Sequence, residues 1–166
     1  MARLLNREAE SSWQITVSRL IEHPEVLPIV ARWFEGEWPD WYGPGKFGDA
    51  ERDVQSFANE GSLPVGVVAF SAGEPCGAAA LKAESIPSHT HLAPWAAAGF
   101  VVPKLRGRGI GALLLSALEA EAKALGFDSI YCGTSTANLL LQHSGWRAID
   151  AVQLLGKDVS VYAKAL

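Results

Sequence analysis

Apolar and polar side chains alternate from Trp13 to Arg19, with Trp13, Ile15 and Val17 set against Gln14, Thr16 and Ser18. That period predicts a half-buried strand. From Pro24 to Phe34 the apolar positions Val26, Leu27, Ile29, Val30, Trp33 and Phe34 recur at helical spacing, and the Gly36 to Pro44 region ends the pattern. Gly36 to Gly48 reads as a loop in which Trp38, Trp41, Tyr42 and Phe47 lie beside Glu35, Glu37 and Asp40. Asp49 is placed to cap a helix reaching about Asn59, and the Val-rich stretch Val65 to Ser71 predicts a strand. A turn at Gly73-Glu74-Pro75 then predicts a hairpin with Cys76 to Ala83. After a loop from Glu84 to Pro94, Trp95 to Val102 is apolar throughout and predicts a strand buried on both faces. Ile110, Leu113, Leu114, Ala117, Leu118, Ala122 and Leu125 make one helical stripe, closed by Gly126. Ser129 to Thr134 then reads as a strand and Ala137 to His143 as a short helix. Arg147 to Leu155 and Val159 to Ala165 form a last hairpin about Gly156-Lys157-Asp158.

The segment Val101-Val102-Pro103-Lys104-Leu105-Arg106-Gly107-Arg108-Gly109-Ile110-Gly111-Ala112 joins the buried strand to the long helix. Glycine costs a helix roughly 1 kcal/mol relative to alanine, so glycines in a first turn need a reason. Phosphate supplies one. The first amides of a helix lack acceptors and sit at the positive end of its dipole, and absent side chains let an anion reach the backbone. Lys104, Arg106 and Arg108 add positive charge at that mouth. A P-loop is excluded because Gly111 precedes Ala112 and Leu113 instead of a Lys-Ser/Thr pair. A dinucleotide fold would carry its glycines in the first strand-helix turn and an acidic residue near the end of the next strand, whereas here about a hundred residues precede them and the next strand ends Tyr131-Cys132-Gly133-Thr134.

Composition narrows the partners. The 166 residues, 49% apolar and 19% charged, suit one folded domain. With 14 basic and 18 acidic residues the net charge is -4, which argues against nucleic acid or an anionic membrane as a partner. Cys76 and Cys132 show no ligand spacing, so no metal is expected, and two reduced thiols point to the cytoplasm. Met1 to Ser12 has no apolar core of a signal peptide.

Arg106, Gly109 and Gly111 meet the pattern Arg/Gln-x-x-Gly-x-Gly/Ala, and Val101 and Pro103 precede it at five and three residues. With the leucine-rich helix and the Ser144-Gly145-Trp146 ending of the short helix, these residues resemble the GNAT superfamily of acyl-CoA-dependent N-acetyltransferases. The resemblance is strongest over about Trp95 to Trp146. It implies a three-layer α+β fold with a mixed, mostly antiparallel sheet of about seven strands and helices on both faces. It also implies an acceptor-side half over residues 1–94 and an acetyl-CoA half over residues 95–166. Acetyl-CoA is the implied co-substrate, with its diphosphate over Arg106, Gly107, Arg108, Gly109, Ile110, Gly111 and Ala112. Its pantetheine arm would pair with backbone near Gly99 and Val101. The implied reaction is direct acetyl transfer to a primary amine of a small molecule or peptide.

One position departs from the family pattern. Many members place a proton-donating Tyr four residues before the glycine that ends the short helix, and here that residue is Leu141. Ala96, Ala97, Ala98 and Gly99 supply no carboxylate; the resemblance places the loop with Glu35, Glu37 and Asp40 beside the acceptor pocket, which makes these the candidate bases, Glu35 first among them. Trp33, Trp38 and His89 are candidate contacts of the acceptor, and aromatics interleaved with carboxylates would suit a cationic or amphipathic amine. Leu141 favours the alternative of a catalytically silent acyl-CoA-binding or sensing module. A homodimer is the commonest assembly for such a chain.

Overall fold

The computed structural model describes residues 14–166. Trp13 and the stretch Met1 to Ser12, on which the expectation of no signal peptide rests, lie outside them. In chain order the elements are β1 (Ile15–Arg19), α1 (Leu27–Glu37), α2 (Pro39–Tyr42), α3 (Ala50–Phe57), β2 (Val65–Ser71), β3 (Glu74–Lys82) and β4 (Trp95–Val101). They continue with α4 (Ile110–Ala124), β5 (Ser129–Thr134), α5 (Asn138–His143), β6 (Arg147–Leu154) and β7 (Lys157–Ala165). Short 3-10 turns fill Leu20–Glu22, Pro24–Val26, Pro87–His89 and Pro103–Leu105.

The strands form one seven-stranded sheet in the order β1-β2-β3-β4-β5-β7-β6. Every neighbouring pair is antiparallel except β4 and β5. Alternation along β2 sends Val67 and Ala69 to one face and Val68 to the other. On the first face α4 lays down Ile110, Leu114, Leu115, Leu118 and Ala122. On the second, α1 and α3 bring Val30, Phe34, Val54 and Phe57. This is the expected mixed α+β sheet with helices on both faces. α4 ends as its sequence predicts: Phe127 N–H reaches Ala122 O at 3.1 Å and Gly126 N–H reaches Lys123 O at 3.0 Å.

Several boundaries differ from the sequence reading. α1 runs through Gly36 to Glu37, and Pro39–Tyr42 coils into a further turn, so the aromatic-acidic stretch is largely helical. Asp49 does cap α3, accepting from Arg52 N–H at 3.1 Å, but that helix stops at Phe57. The hairpin turns fall one or two residues earlier than composition suggests. Ala72 and Leu155 take positive φ (51° and 50°) ahead of Gly73 and Gly156, which gives two-residue turns whose twist matches the strands.

The largest correction concerns β4. It is not buried on both faces: Gly99 is exposed and Ala97 and Ala98 are half-buried. Two features open it. In register β4 meets β5 only through Trp95 and Tyr131, so the parallel pair diverges like a wedge. In addition Ala78 faces Phe100 while Ala80 faces Ala97, so two β4 residues, Ala98 and Gly99, oppose one on β3. That is a β-bulge, with Ala98 held at φ 52°.

Candidate functional site

The wedge between β4 and β5 continues into a cleft of about 980 Å³. Its floor is the alanine-rich run Ala96 to Gly99, its far wall Cys132 to Ala137, and its mouth the turn into α4. Small side chains along β4 leave this space empty. Ala98 and Gly99 have no register partner on either neighbouring strand. Their main chain is therefore available to an extended, amide-bearing ligand.

At the mouth, Gly107 and Gly109 adopt φ of 78° and 84°, which disfavour any residue with a side chain. A Cβ at either would meet nothing within 4 Å, so the surface over the turn is open. Gly109 is the N-cap of α4 and makes no side-chain cap. The first helical bond closes from Leu113 N–H to Gly109 O at 3.2 Å. The amides of Ile110, Gly111 and Ala112 precede that bond and have no intrahelical acceptor. A dipole end and three donors thus face the cleft. Gly111 works differently from the expectation that all three glycines bare the backbone: a Cβ there would lie 3.1 Å from Leu140 Cδ2. Its absence lets α5 approach α4.

Arg106 also departs from a simple phosphate role. Its Nε donates to Val101 O at 2.8 Å, its guanidinium carbon lies 5.5 Å from the centre of the Phe100 ring, and a terminal nitrogen is 3.6 Å from Glu37. The side chain thus ties the start of the glycine turn to the end of α1. Gly99, Val101, Arg106, Gly107, Gly109, Ile110, Gly111 and Ala112 all line the cleft; Arg108 is exposed beside it.

The acceptor-side expectations divide. Trp38 lines the cleft with Trp41 and Tyr42. Trp33 does not; it stacks on Phe100 with centroids 5.3 Å apart and packs into the core. Glu35 is exposed on the last turn of α1 and is not among the lining residues, whereas Glu37 is. Helical spacing explains this: two residues apart on a helix point to different sides. His89 is also elsewhere. It is buried, with Nε2 2.8 Å from Asp150 Oδ2 and Nδ1 2.8 Å from Ser88 Oγ. This ring locks the loop before β4 onto β6.

Leu141 is buried (1% exposed) and lines the cleft, so the position usual for a Tyr holds only hydrocarbon. Nearby groups do not replace it. Burial pushes the Cys132 thiol up to about 12, far above the ordinary value of about 8.5. It would not yield a proton to an ordinary thiolate, nor act as a nucleophile. Tyr42 donates to Asp53 Oδ2 at 2.7 Å, and burial with that bond raises its phenol. Thr134 Oγ1 accepts from Thr136 and Ala137 N–H at 3.1 and 2.8 Å, shaping the turn into α5.

Sequence reasoning missed Lys82, Ser85, Leu154 and Leu155, which complete the lining. No local signal marks them. Lys82 ends β3, and the two leucines, one ending β6 and one in the turn after it, are distant in sequence from the glycine turn and β4. Among the described residues no group of three or more His, Cys, Asp or Glu is arranged to hold a metal, and no helix is long and apolar enough to cross a membrane.

Comparison with known proteins agrees with this geometry. The family model described as acetyltransferase (GNAT) family matches residues 28–143, more than half of the chain. Among solved structures, an aminoglycoside 6'-N-acetyltransferase complexed with coenzyme A superposes with a TM-score of 0.72 at 15% identity, covering 90% of this chain and 96% of that one. The yncA protein of Salmonella typhimurium with its cofactor acetyl-CoA gives 0.69 at 15% identity, over 91% and 93%. A ribosomal-protein-alanine N-acetyltransferase from Brucella melitensis gives 0.68 at 19%, over 92% and 99%. At these identities the likenesses establish the fold. No curated protein matches the chain.

Proposed function

Because the chain belongs to the GNAT family of acetyltransferases, we propose that it moves an acetyl group from acetyl-CoA to a primary amine of a small molecule or peptide by direct transfer. The observation that carries this is the turn at Gly107 and Gly109, which presents the unpaired amides of Ile110 to Ala112 at the mouth of a wedge opened by the β4 bulge. These donors fit a diphosphate, and the open edge of β4 fits an extended arm with amide groups. Acetyl-CoA supplies an activated acyl carbon with a thiolate leaving group. Main-chain N–H groups at Ala98 and Gly99 are the donors nearest to an acyl oxygen in such a pose, and they stabilise negative charge as it develops there.

Proton traffic falls to water. Glu35 lies outside the cleft, and Glu37 faces a guanidinium. Leu141 has no acidic proton, and the Cys132 thiol holds its own too tightly. An alkyl thiolate is a far better leaving group than an alkoxide and departs without a strong acid, and the acceptor must arrive as the neutral amine. The rate is accordingly expected to rise with pH until the acceptor's own amine has titrated. Leu141 also favours a second reading, a silent acyl-CoA-binding module.

One assay tests both. Acetyl-CoA is mixed with a panel of amines and free thiol release is followed, with acetyl-CoA binding measured by calorimetry. Amine-dependent release is the expected result. Tight binding without release assigns the silent module, and no binding at millimolar ligand overturns both.

A further inference from the structure

The charges inside the cleft select among acceptors. Its lining contains two cations, Lys82 and Arg106, and one carboxylate, Glu37. Glu37 is partly neutralised by Arg106 at 3.6 Å. Lys82 is half-buried and, among the described residues, its side chain makes no hydrogen bond or ion pair. Its stem packs along the cleft wall while its ammonium, with no side-chain partner, is free to pair with an anion that enters.

Register shows which anion it is not. Lys82 stands opposite Trp95, at the closed end of the wedge, whereas the phosphate turn follows Val101 at the open end. At about 3.3 Å per residue those ends of β4 are roughly 20 Å apart. By alternation Lys82 shares a sheet face with Ala80 and Ala78, which pack toward α1 and α3. It thus faces the side where Trp38, Trp41 and Tyr42 meet the cleft, with Leu154 and Leu155 on the β6-β7 hairpin as further apolar lining. Trp41 and Leu155 are 44% and 81% exposed, leaving apolar surface for a ligand to cover.

Resting on the acetyl-transfer reading, we propose that the acceptor is a free amino acid with an apolar or aromatic side chain, its carboxylate paired with Lys82 and its body against the aromatic and leucine walls. The step balances. The neutral α-amine nitrogen bonds the acyl carbon, the carbon-sulfur bond breaks, the nitrogen's surplus proton passes to water, and the thiolate takes a proton back. A polycation such as an aminoglycoside or a polyamine finds one compromised carboxylate and two like charges, so it binds poorly.

Thiol release is compared for phenylalanine, leucine, phenethylamine, spermidine and tobramycin, with the wild-type chain, Lys82→Gln and Lys82→Arg. Phenylalanine is expected to exceed phenethylamine by about tenfold in kcat/KM, and both polycations by more. Lys82→Gln lowers the phenylalanine-to-phenethylamine ratio about tenfold, chiefly through KM, and Lys82→Arg restores most of it. Calorimetry with acetyl-CoA on each variant reports that the coenzyme end is intact. Preference for a polycation or for phenethylamine, or a ratio unmoved by Lys82→Gln, overturns the proposal while acetyl transfer stands. Failure of every amine to release thiol overturns acetyl transfer, and this proposal with it.

Discussion

The two ends of the cleft are built from different materials. At the end proposed for the diphosphate the groups facing the cleft are main-chain amides fixed by one short turn, Gly107 to Ala112. At the end proposed for the acceptor they are side chains from α1, α2, β3, the loop after it and the β6-β7 hairpin. A main-chain site is specified by local sequence, because only glycine tolerates its dihedrals. A side-chain site is specified by which distant segments the sheet brings together. The first kind can persist while most of the sequence changes; the second is free to change with each member.

The sharpest way to break this contrast is at Gly109. Gly109→Val forces a β-branched residue to φ 84°, and acetyl-CoA affinity is expected to fall about a hundredfold or more in calorimetry. Gly111→Ala is the matched control inside the same motif. Its Cβ would press on Leu140 Cδ2 at 3.1 Å without touching the open surface, so affinity is expected to stay within about threefold while Tm drops by about 2–4 °C. An equal loss of affinity in both variants would erase the distinction between a turn glycine and a packing glycine.

At the acceptor end the pair Glu35→Gln and Glu37→Gln separates the helix faces. The first is expected to leave kinetics unchanged; the second lowers KM for a carboxylate-bearing acceptor about twofold to threefold. The smallest effect lies outside the cleft. The hydrogen bond from His89, then that from Ala151 N–H, holds the Asp150 carboxyl below its ordinary 3.8. The stability this contributes is present above that pH and is lost as pH falls from 3.8 through the lower folded value. Asp150→Asn should therefore flatten the acid limb of a Tm-against-pH curve and leave turnover as it was.

This division also explains what the sequence discloses. The strands, α4 with its terminal turn, the Asp49 cap and the glycine turn were legible because each depends on residues a few places apart. The wedge was not, because the apolar run Trp95 to Val102 looks like a fully buried strand until the bulge at Ala98 and the single register contact with Tyr131 are seen. Glu35 was drawn toward the site by its charge and by the loop the resemblance sets beside the acceptor, and His89 by its imidazole. The first lies on the wrong side of a helix that extends past Gly36, and the second is occupied by Asp150, a partner 61 residues away. Lys82 has no sequence signature at all, since its proposed role comes from lining the cleft without a paired carboxylate.

The central claim is that main-chain donors at the start of α4 hold the diphosphate. Amide chemical shifts of the ¹⁵N-labelled chain, titrated with coenzyme A and separately with pantetheine, test it directly. Coenzyme A is expected to move Gly109, Ile110, Gly111 and Ala112 strongly, while pantetheine, which lacks the diphosphate, moves Ala98 to Val101 and leaves the turn nearly still. Equal shifts at the turn with both ligands, or none with coenzyme A at saturation, would contradict it.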